Sequence, residues 1–366
     1  MRIFRHFFKR PDCTIKRNYQ LSSSIIISLN AKNINDSCFS RQIKHRKPID
    51  NVDYLVLMMK RNKSTNFGGQ YSFPGGKIDE IDFKLDGWKN EISLIDCDLN
   101  DYSILIPENF QFLDPKSFLP PHVGFKLSAI RELLEECNLL LVPSDSSSMY
   151  CDALVVNNDE TKKSLYSLYK KYNKRPPLER LYPWSNWLSP DHLEYKFRTL
   201  FYYIGINSIL DNFSKWEVYG EAENVTLACP LNHLSKKLDR ESIYPPPQMY
   251  ELQRLVNYQK MQELTIFSIQ RIELGLDLYY PKLTKCPKTG ATVYLLNGDE
   301  NYEKGFIEGD ESFDEDWSLI NRLVKTDYDP LPGLWWTSNI SLNGHSVPVC
   351  REDIIHSYRD FIINSK

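Results

Sequence analysis

The stretch that most constrains this chain is Phe67-Gly68-Gly69-Gln70-Tyr71-Ser72-Phe73-Pro74-Gly75-Gly76, where four glycines and a proline are expected to forbid regular structure and let the backbone approach a ligand closely. It is expected to be a loop that builds a site. The apolar runs Ser24 to Leu29 and Tyr54 to Met59, each bounded by polar and turn-forming residues, read as buried strands joined by a long loop from Asn30 to Asp50. Further strands are expected at Leu200 to Ile206, Val225 to Ala228 and Thr292 to Leu296. A helix is expected from Gln248 to about Ile272, introduced by Pro245-Pro246-Pro247.

Another helix is expected from Ser128, acting as its cap, to about Leu141, with Ile130, Leu133, Leu134, Cys137 and Leu141 on the apolar face. In it Glu132, Glu135 and Glu136 fall three and four apart and project together. Like charges so placed repel unless a cation neutralises them, and clustered carboxylate oxygens suit Mg²⁺ or Mn²⁺ better than zinc. An acidic helix face alone is more often simply solvated; the glycine-rich bend earlier in the chain shifts the reading toward a metal site. A cation there would neutralise charge on phosphate oxygens and lower the pKa of a bound water, while one carboxylate takes the water's proton.

Composition narrows the class. The 366 residues, 42% hydrophobic and 25% charged, suffice for one large or two modest domains. With 45 basic and 48 acidic residues spread along the chain, nothing suggests broad electrostatic binding to nucleic acid, whereas a small anionic substrate is compatible. Eight cysteines without a C-x-x-C pair argue against a zinc ribbon or a dithiol redox site and read as reduced intracellular thiols. No apolar run approaches the roughly 20 residues needed to span a bilayer. Residues 1–20 carry Arg2, Arg5, Lys9, Arg10, Lys16 and Arg17 against Asp12, with Phe4, Phe7 and Phe8 interleaved. That composition resembles a mitochondrial presequence, the alternative being a basic N-terminus of no address value. Asn364-Ser365-Lys366 lacks the standard peroxisomal form, and peroxisomal or cytosolic residence are the other expectations.

Gly76-Lys77-Ile78-Asp79-Glu80-Ile81-Asp82, followed later by Arg131-Glu132-Leu133-Leu134-Glu135-Glu136-Cys137-Asn138-Leu139, resembles the Nudix box G-x5-E-x7-R-E-U-x-E-E-x-G-U. Phe73-Pro74-Gly75-Gly76 is similar to the F-P-G-G entry common in that superfamily. Asp82 stands in place of the usual Glu. Asn138 stands in place of the usual Gly, as the residue next best able to adopt a left-handed conformation. Asp82 and Arg131 are 49 positions apart where the box has eight, so 41 residues interrupt it. Such a split resembles the branch of coenzyme A and acyl-coenzyme A diphosphatases, as do Phe83 to Trp88, Phe125 to Ile130, Trp187 to Pro190, Phe197 to Thr199 and Pro245 to Gln248.

The resemblance implies an α/β fold, the Nudix α/β/α sandwich with a mixed sheet between helices. It would have a basic extension at 1–20, a hydrolase domain at 21–280 with an insertion at about 84–122, and a C-terminal extension at 281–366 packed on the same domain. It implies Glu132, Glu135, Glu136 and the Gly76 carbonyl as a shell for Mg²⁺ or Mn²⁺. Glu132 is the first choice of catalytic base and Glu136 the second, with Arg131 orienting a catalytic glutamate. Cleavage of the diphosphate in coenzyme A or acyl-CoA would release 3′,5′-ADP and 4′-phosphopantetheine or its acyl form, and family analogy suggests a homodimer.

Substrate contacts are less sharply marked. Lys60, Arg61 and Lys63 follow an expected strand and are candidates to meet a phosphate, or else a solvated strand end; Phe73 and Gly75 belong to the bend on the substrate side. Trp184, Trp187, Phe197 and Tyr202 either stack an adenine, line an acyl groove or belong to the core. Glu221 or Glu223 would bring a late carboxylate unless they are solvated loop acids. The L-L-T-x-R type of coenzyme A signature is not cleanly present in Leu57-Met58-Met59-Lys60-Arg61. Two rivals are a Nudix hydrolase of ADP-ribose, NADH or capped nucleotides, and a non-catalytic Nudix module that binds nucleotide or protein.

Overall fold

The apolar run at Ser24 sits inside β1 (Gln20–Asn30), the strand around which the computed structural model is organised. The structure describes residues 19–34, 42–45, 47–48, 51–64, 67–85, 87–88, 118–144, 149–210, 216–218, 220–234, 244–270, 272, 276, 278–285, 292–296, 299, 302, 322–325 and 335–338. After β1 come β2 (Ile43–His45), β3 (Tyr54–Arg61), β4 (Tyr71–Ser72) and β5 (Gly75–Lys77). Then follow α1 (Pro121–Cys137), β6 (Leu139–Pro143), β7 (Cys151–Val155), α2 (Asn158–Thr161), α3 (Leu165–Tyr172), β8 (Tyr182–Leu188), β9 (Phe197–Leu210) and β10 (Ala222–Ala228). The chain continues with α4 (Pro230–Leu234), α5 (Pro246–Leu255), α6 (Met261–Gln270), β11 (Leu278–Tyr279), β12 (Lys282–Lys285), β13 (Thr292–Leu295), β14 (Arg322–Lys325) and β15 (Trp335–Ser338).

Eleven strands form one mixed sheet with the path β11-β8-β9-β1-β3-β10-β2, to which β4, β5, β6 and β7 attach. One edge of β1 runs parallel to β9, from Gln20 opposite Phe197 to Leu29 opposite Ile206. The other edge is divided: Ser22 to Ser24 pair antiparallel with β5, and Ser28 to Asn30 with β3. Between them Ile25 N–H donates to the Pro74 carbonyl at 2.9 Å, so the glycine-rich bend is stitched to the central strand.

Side chains alternate across β1 as a pleated strand requires. Ile25, Ile27 and Leu29 enter a core shared with α1, while Ile26 enters a second core shared with α5 and α6. The sheet is therefore covered on both faces, the expected α/β layering with a mixed sheet. Each fully buried aliphatic side chain contributes roughly 1.5–3 kcal/mol relative to exposure.

Some element boundaries depart from expectation. The acidic helix starts at Pro121, the first-turn position that tolerates proline, so Ser128 is a buried residue within the helix rather than its cap. It ends at Asn138, whose φ of 56° and ψ of 29° are left-handed, so Leu139 to Leu141 belong to β6 and not to the helix. The helix expected from Gln248 to Ile272 is two, α5 and α6, separated at Val256 to Lys260. Inside the loop expected from Asn30 to Asp50 lies β2.

The interruption in the acidic motif closes on itself. Lys84 bridges Phe118, and Leu119 N–H donates to the Phe83 carbonyl at 2.7 Å, so both ends of the inserted segment meet beside α1. Gly124 permits this contact, since a Cβ there would lie 2.2 Å from the Phe83 ring. The inserted residues 89–117 lie outside the described residues, as do the basic 1–18 and most of the chain after 302. Among what is described there, β12 to β15 form a separate antiparallel sheet, and Tyr294 of β13 is buried in the second core against His192. No helix among the described residues is long and apolar enough to cross a membrane.

Candidate metal and diphosphate site

The bend and α1 meet. A Cβ on Gly76 would fall 2.3 Å from Glu132 Oε2, so any larger residue there would displace that carboxylate. Gly75 is equally confined, with Ser23 O 2.4 Å from where its Cβ would be, and its N–H donates to Glu136 Oε2 at 2.8 Å. Glu136 is thus hydrogen-bonded to Gly75, and Glu132 lies over Gly76, two adjacent glycines that pair with β1.

Arg131 organises the other side. Its Nε donates to Asp82 Oδ1 at 2.7 Å and its Nη2 to Asp82 Oδ2 at 2.9 Å and to the Lys77 carbonyl at 3.0 Å. Its Nη1 donates to Glu132 Oε1 at 2.8 Å and Glu135 Oε2 at 3.1 Å. Burial works to lower the Arg131 pKa, but the Asp82 hydrogen bonds and the surrounding carboxylates override it and hold the guanidinium charged. Burial pushes Glu132 up to about 7, with Arg131 pulling down and Glu135 pushing up; Glu135 and, far more strongly, the almost wholly buried Glu136 are raised chiefly by burial too.

The three glutamates do not close into a single ligand set: among the described residues no three His, Cys, Asp or Glu side chains are disposed to hold a metal ion. Arg131 draws Glu132 and Glu135 to itself, and Glu135 is 46% exposed, while Glu136 turns to Gly75. The donors nevertheless fit a hard divalent cation. Glu136 Oε1 is buried with no hydrogen-bond partner, an orphan acceptor that costs free energy unless something satisfies it. Carboxylate oxygens and a backbone carbonyl at Gly76 are the donors Mg²⁺ and Mn²⁺ prefer.

The candidate substrate residues separate. Arg61 lies on the α1 face, its Nη1 3.5 Å from Glu136 Oε1. Its neighbour Lys60, alternating to the opposite face of β3, lies 3.9 Å from Glu223, so the two cations cannot grip one phosphate together. Phe73 is 1% exposed in the second core, edge-on to Phe201, because its position in the bend points it away from α1. Trp184 and Trp187 are core residues whose indole N–H groups donate to the buried Glu251 at 2.6 and 2.8 Å, and Tyr202 is buried in the first core. Glu221 reaches Arg61 at 2.5 Å. Two functional relationships were not read from the sequence: the Arg131–Asp82 pair, which Asp82's place as first acid of the interrupted pattern signals, and the Arg61–Glu136–Glu221 chain, which depends on a strand register that no local signal gives.

Residues 23–255 match the family model described as the NUDT19 Nudix domain. The chain is similar to the acyl-coenzyme A diphosphatase NUDT19 of Xenopus laevis, at 28% identity over 68% of this chain and 72% of that protein. It is also similar to the acyl-coenzyme A diphosphatase NUDT19 of Gallus gallus, at 26% identity over 70% of this chain and 74% of that protein. A NUDIX hydrolase crystal structure from Alicyclobacillus acidocaldarius overlaps 69% of this chain and 97% of its own, with a TM-score of 0.46 and 15% identity.

Proposed function

The chain belongs to the NUDT19 Nudix domain family, and from that premise we propose that it is a divalent-metal-dependent diphosphatase acting on coenzyme A or acyl-CoA. The products would be 3′,5′-ADP and 4′-phosphopantetheine or its acyl form. The observation that carries this reading is the seating of Glu132 and Glu136 on Gly76 and Gly75 despite the interrupted box. The names of the two relatives support the substrate class.

Glu132, Glu136, Glu135 and the Gly76 carbonyl are the residues that would hold Mg²⁺ or Mn²⁺. Such an ion supplies charge neutralisation on the diphosphate oxygens and a more acidic water. The chain's own residues do the rest. Arg131, fixed by Asp82, keeps Glu132 oriented to accept a proton from the attacking water, and Gly75 N–H fixes Glu136. Arg61, whose guanidinium lies near Glu136 on the α1 face, would receive a phosphate oxygen.

A panel of coenzyme A, acyl-CoA, ADP-ribose, NADH and a capped nucleotide, each with Mg²⁺ or Mn²⁺, tests the proposal. Preferential release of 3′,5′-ADP supports it; equal rates on ADP-ribose overturn it. A mitochondrial address carried by residues 1–20 and a homodimer belong to the same proposal. Import of a reporter fused to residues 1–20 and the solution mass by light scattering test them, with peroxisomal or cytosolic residence and a monomer as contrary outcomes.

A further inference from the structure

Arg61 is shared between two carboxylates of different character. Its Nη2 meets Glu221 Oε2 at 2.5 Å, a contact on the rim where Glu221 is 57% exposed. Its Nη1 stands 3.5 Å from Glu136 Oε1, near enough for ion pairing but outside any hydrogen bond, and its Nε has no hydrogen-bond partner. Glu136 Oε1 likewise has none, although that side chain is only 4% exposed. An arginine free to choose would close a two-bonded pair with a buried carboxylate, the strong and geometrically favoured arrangement. Here it does not.

The strand register explains why. Ala222 of β10 pairs with Arg61 of β3, and the register then shifts so that Asn224 pairs with Lys60, leaving Glu223 as the extra residue of a bulge. Asn62 N–H donates to the Glu221 carbonyl at 2.7 Å, which fixes the start of β10 against the end of β3. The bulge allots one acid to each face: Glu221 to Arg61 and Glu223 to Lys60.

Resting on the metal-diphosphatase reading, we propose that Glu221 is a positioning residue that restrains Arg61 and thereby keeps one oxygen of Glu136 open to the divalent cation. Glu221 acts through Arg61 and touches neither metal nor the reacting atoms. Without it the guanidinium closes on Glu136, and the site loses an open donor oxygen to that ion pair.

Mn²⁺ uptake by the full-length protein, followed by the loss of the free-ion electron paramagnetic resonance signal, tests this without reference to turnover. Glu221→Gln should weaken Mn²⁺ binding about tenfold, the size typical of residues that support metal ligands from behind, with an unchanged thermal melt. Glu221→Asp should recover part of the affinity. In an Arg61→Gln background the further change Glu221→Gln should shift Mn²⁺ affinity less than about twofold, because the group it restrains is gone. A Glu221→Gln protein that binds Mn²⁺ as wild type does overturns the proposal, as does an undiminished loss in the Arg61→Gln background, which would make Glu221 act directly. Wild-type protein that takes up no Mn²⁺ overturns the underlying metal reading and this inference with it, whereas normal wild-type uptake with an indifferent Glu221→Gln defeats the inference alone.

Discussion

Asp82 and Arg131, 49 residues apart in the chain, are joined by two hydrogen bonds of 2.7 and 2.9 Å with the aspartate side chain only 3% exposed. The inserted segment between them leaves and returns at neighbouring points, so the split motif is whole in space. Without the Asp82 charge Arg131 keeps Glu132 and Glu135 as partners but loses its two-bonded carboxylate. Asp82→Asn is expected to cost about 2 kcal/mol of stability, and Arg131→Lys is expected to fail as a replacement because an ammonium cannot serve Asp82, Glu132 and Glu135 at once. Urea denaturation checks both; variants as stable as wild type would remove Arg131 from the centre of the account.

Gly76 tests the contact between bend and helix. A methyl group there would collide with the Glu132 carboxylate, not with backbone, so the side chain can swing away and the fold survive. Gly76→Ala is expected to reduce diphosphatase activity about a hundredfold, as ångström-scale misplacement of catalytic groups does, with a nearly unchanged circular dichroism spectrum. Wild-type turnover in Gly76→Ala would show that the seat of Glu132 is not functional.

Asn138 ends α1 with φ 56° and buries its Oδ1 without a hydrogen bond. Glycine adopts that conformation without strain and removes the orphan acceptor. Asn138→Gly should therefore stabilise the protein by about 1 kcal/mol, and Asn138→Ala should destabilise it by a similar amount. The order of the two melting temperatures is the check.

Acid sensitivity has an identifiable contributor. Burial, reinforced by Lys126, lowers the His122 pKa from 6.5 to about 4. The unfolded chain takes up this proton near pH 6.5 while the folded chain resists until about pH 4, so the contribution of His122 is complete above 6.5 and lost as pH falls through that window. Glu132, raised to about 7, works in the opposite sense there, which is why the comparison must be between wild type and His122→Asn. The variant should lose less stability between about pH 7 and pH 4 than wild type; parallel profiles would contradict the assignment.

What the sequence made legible follows from locality. The strands at Ser24 and Tyr54, the acidic helix and the left-handed Asn138 are set by periodicity and local backbone chemistry within a few residues, and the structure has them. The glycine-rich stretch expected to lack regular structure instead contains β4 and β5, because pairing with β3 and β1 recruits Tyr71–Ser72 and Gly75–Lys77 into the sheet. The start of α1 was misplaced because Ser128 looks like a cap, whereas tertiary packing of Val123, Phe125 and Leu127 extends the helix back to Pro121. Lys60 and Arg61 looked equivalent because adjacency says nothing of which strand face meets the helix. Phe73 looked like a ligand contact because it neighbours the bend, but the second core claims it. The roles of Trp184 and Trp187 are not legible locally, because the group that takes both indole N–H donors is Glu251, some sixty residues later.

The most direct test is to incubate the purified protein with coenzyme A, Mg²⁺ and ¹⁸O-labelled water, alongside Glu136→Gln. The account predicts 3′,5′-ADP and 4′-phosphopantetheine, with ¹⁸O in one product phosphate, and a rate about a thousandfold lower in a folded Glu136→Gln protein. Intact coenzyme A after incubation with wild type, or equal rates in the two proteins, would contradict it.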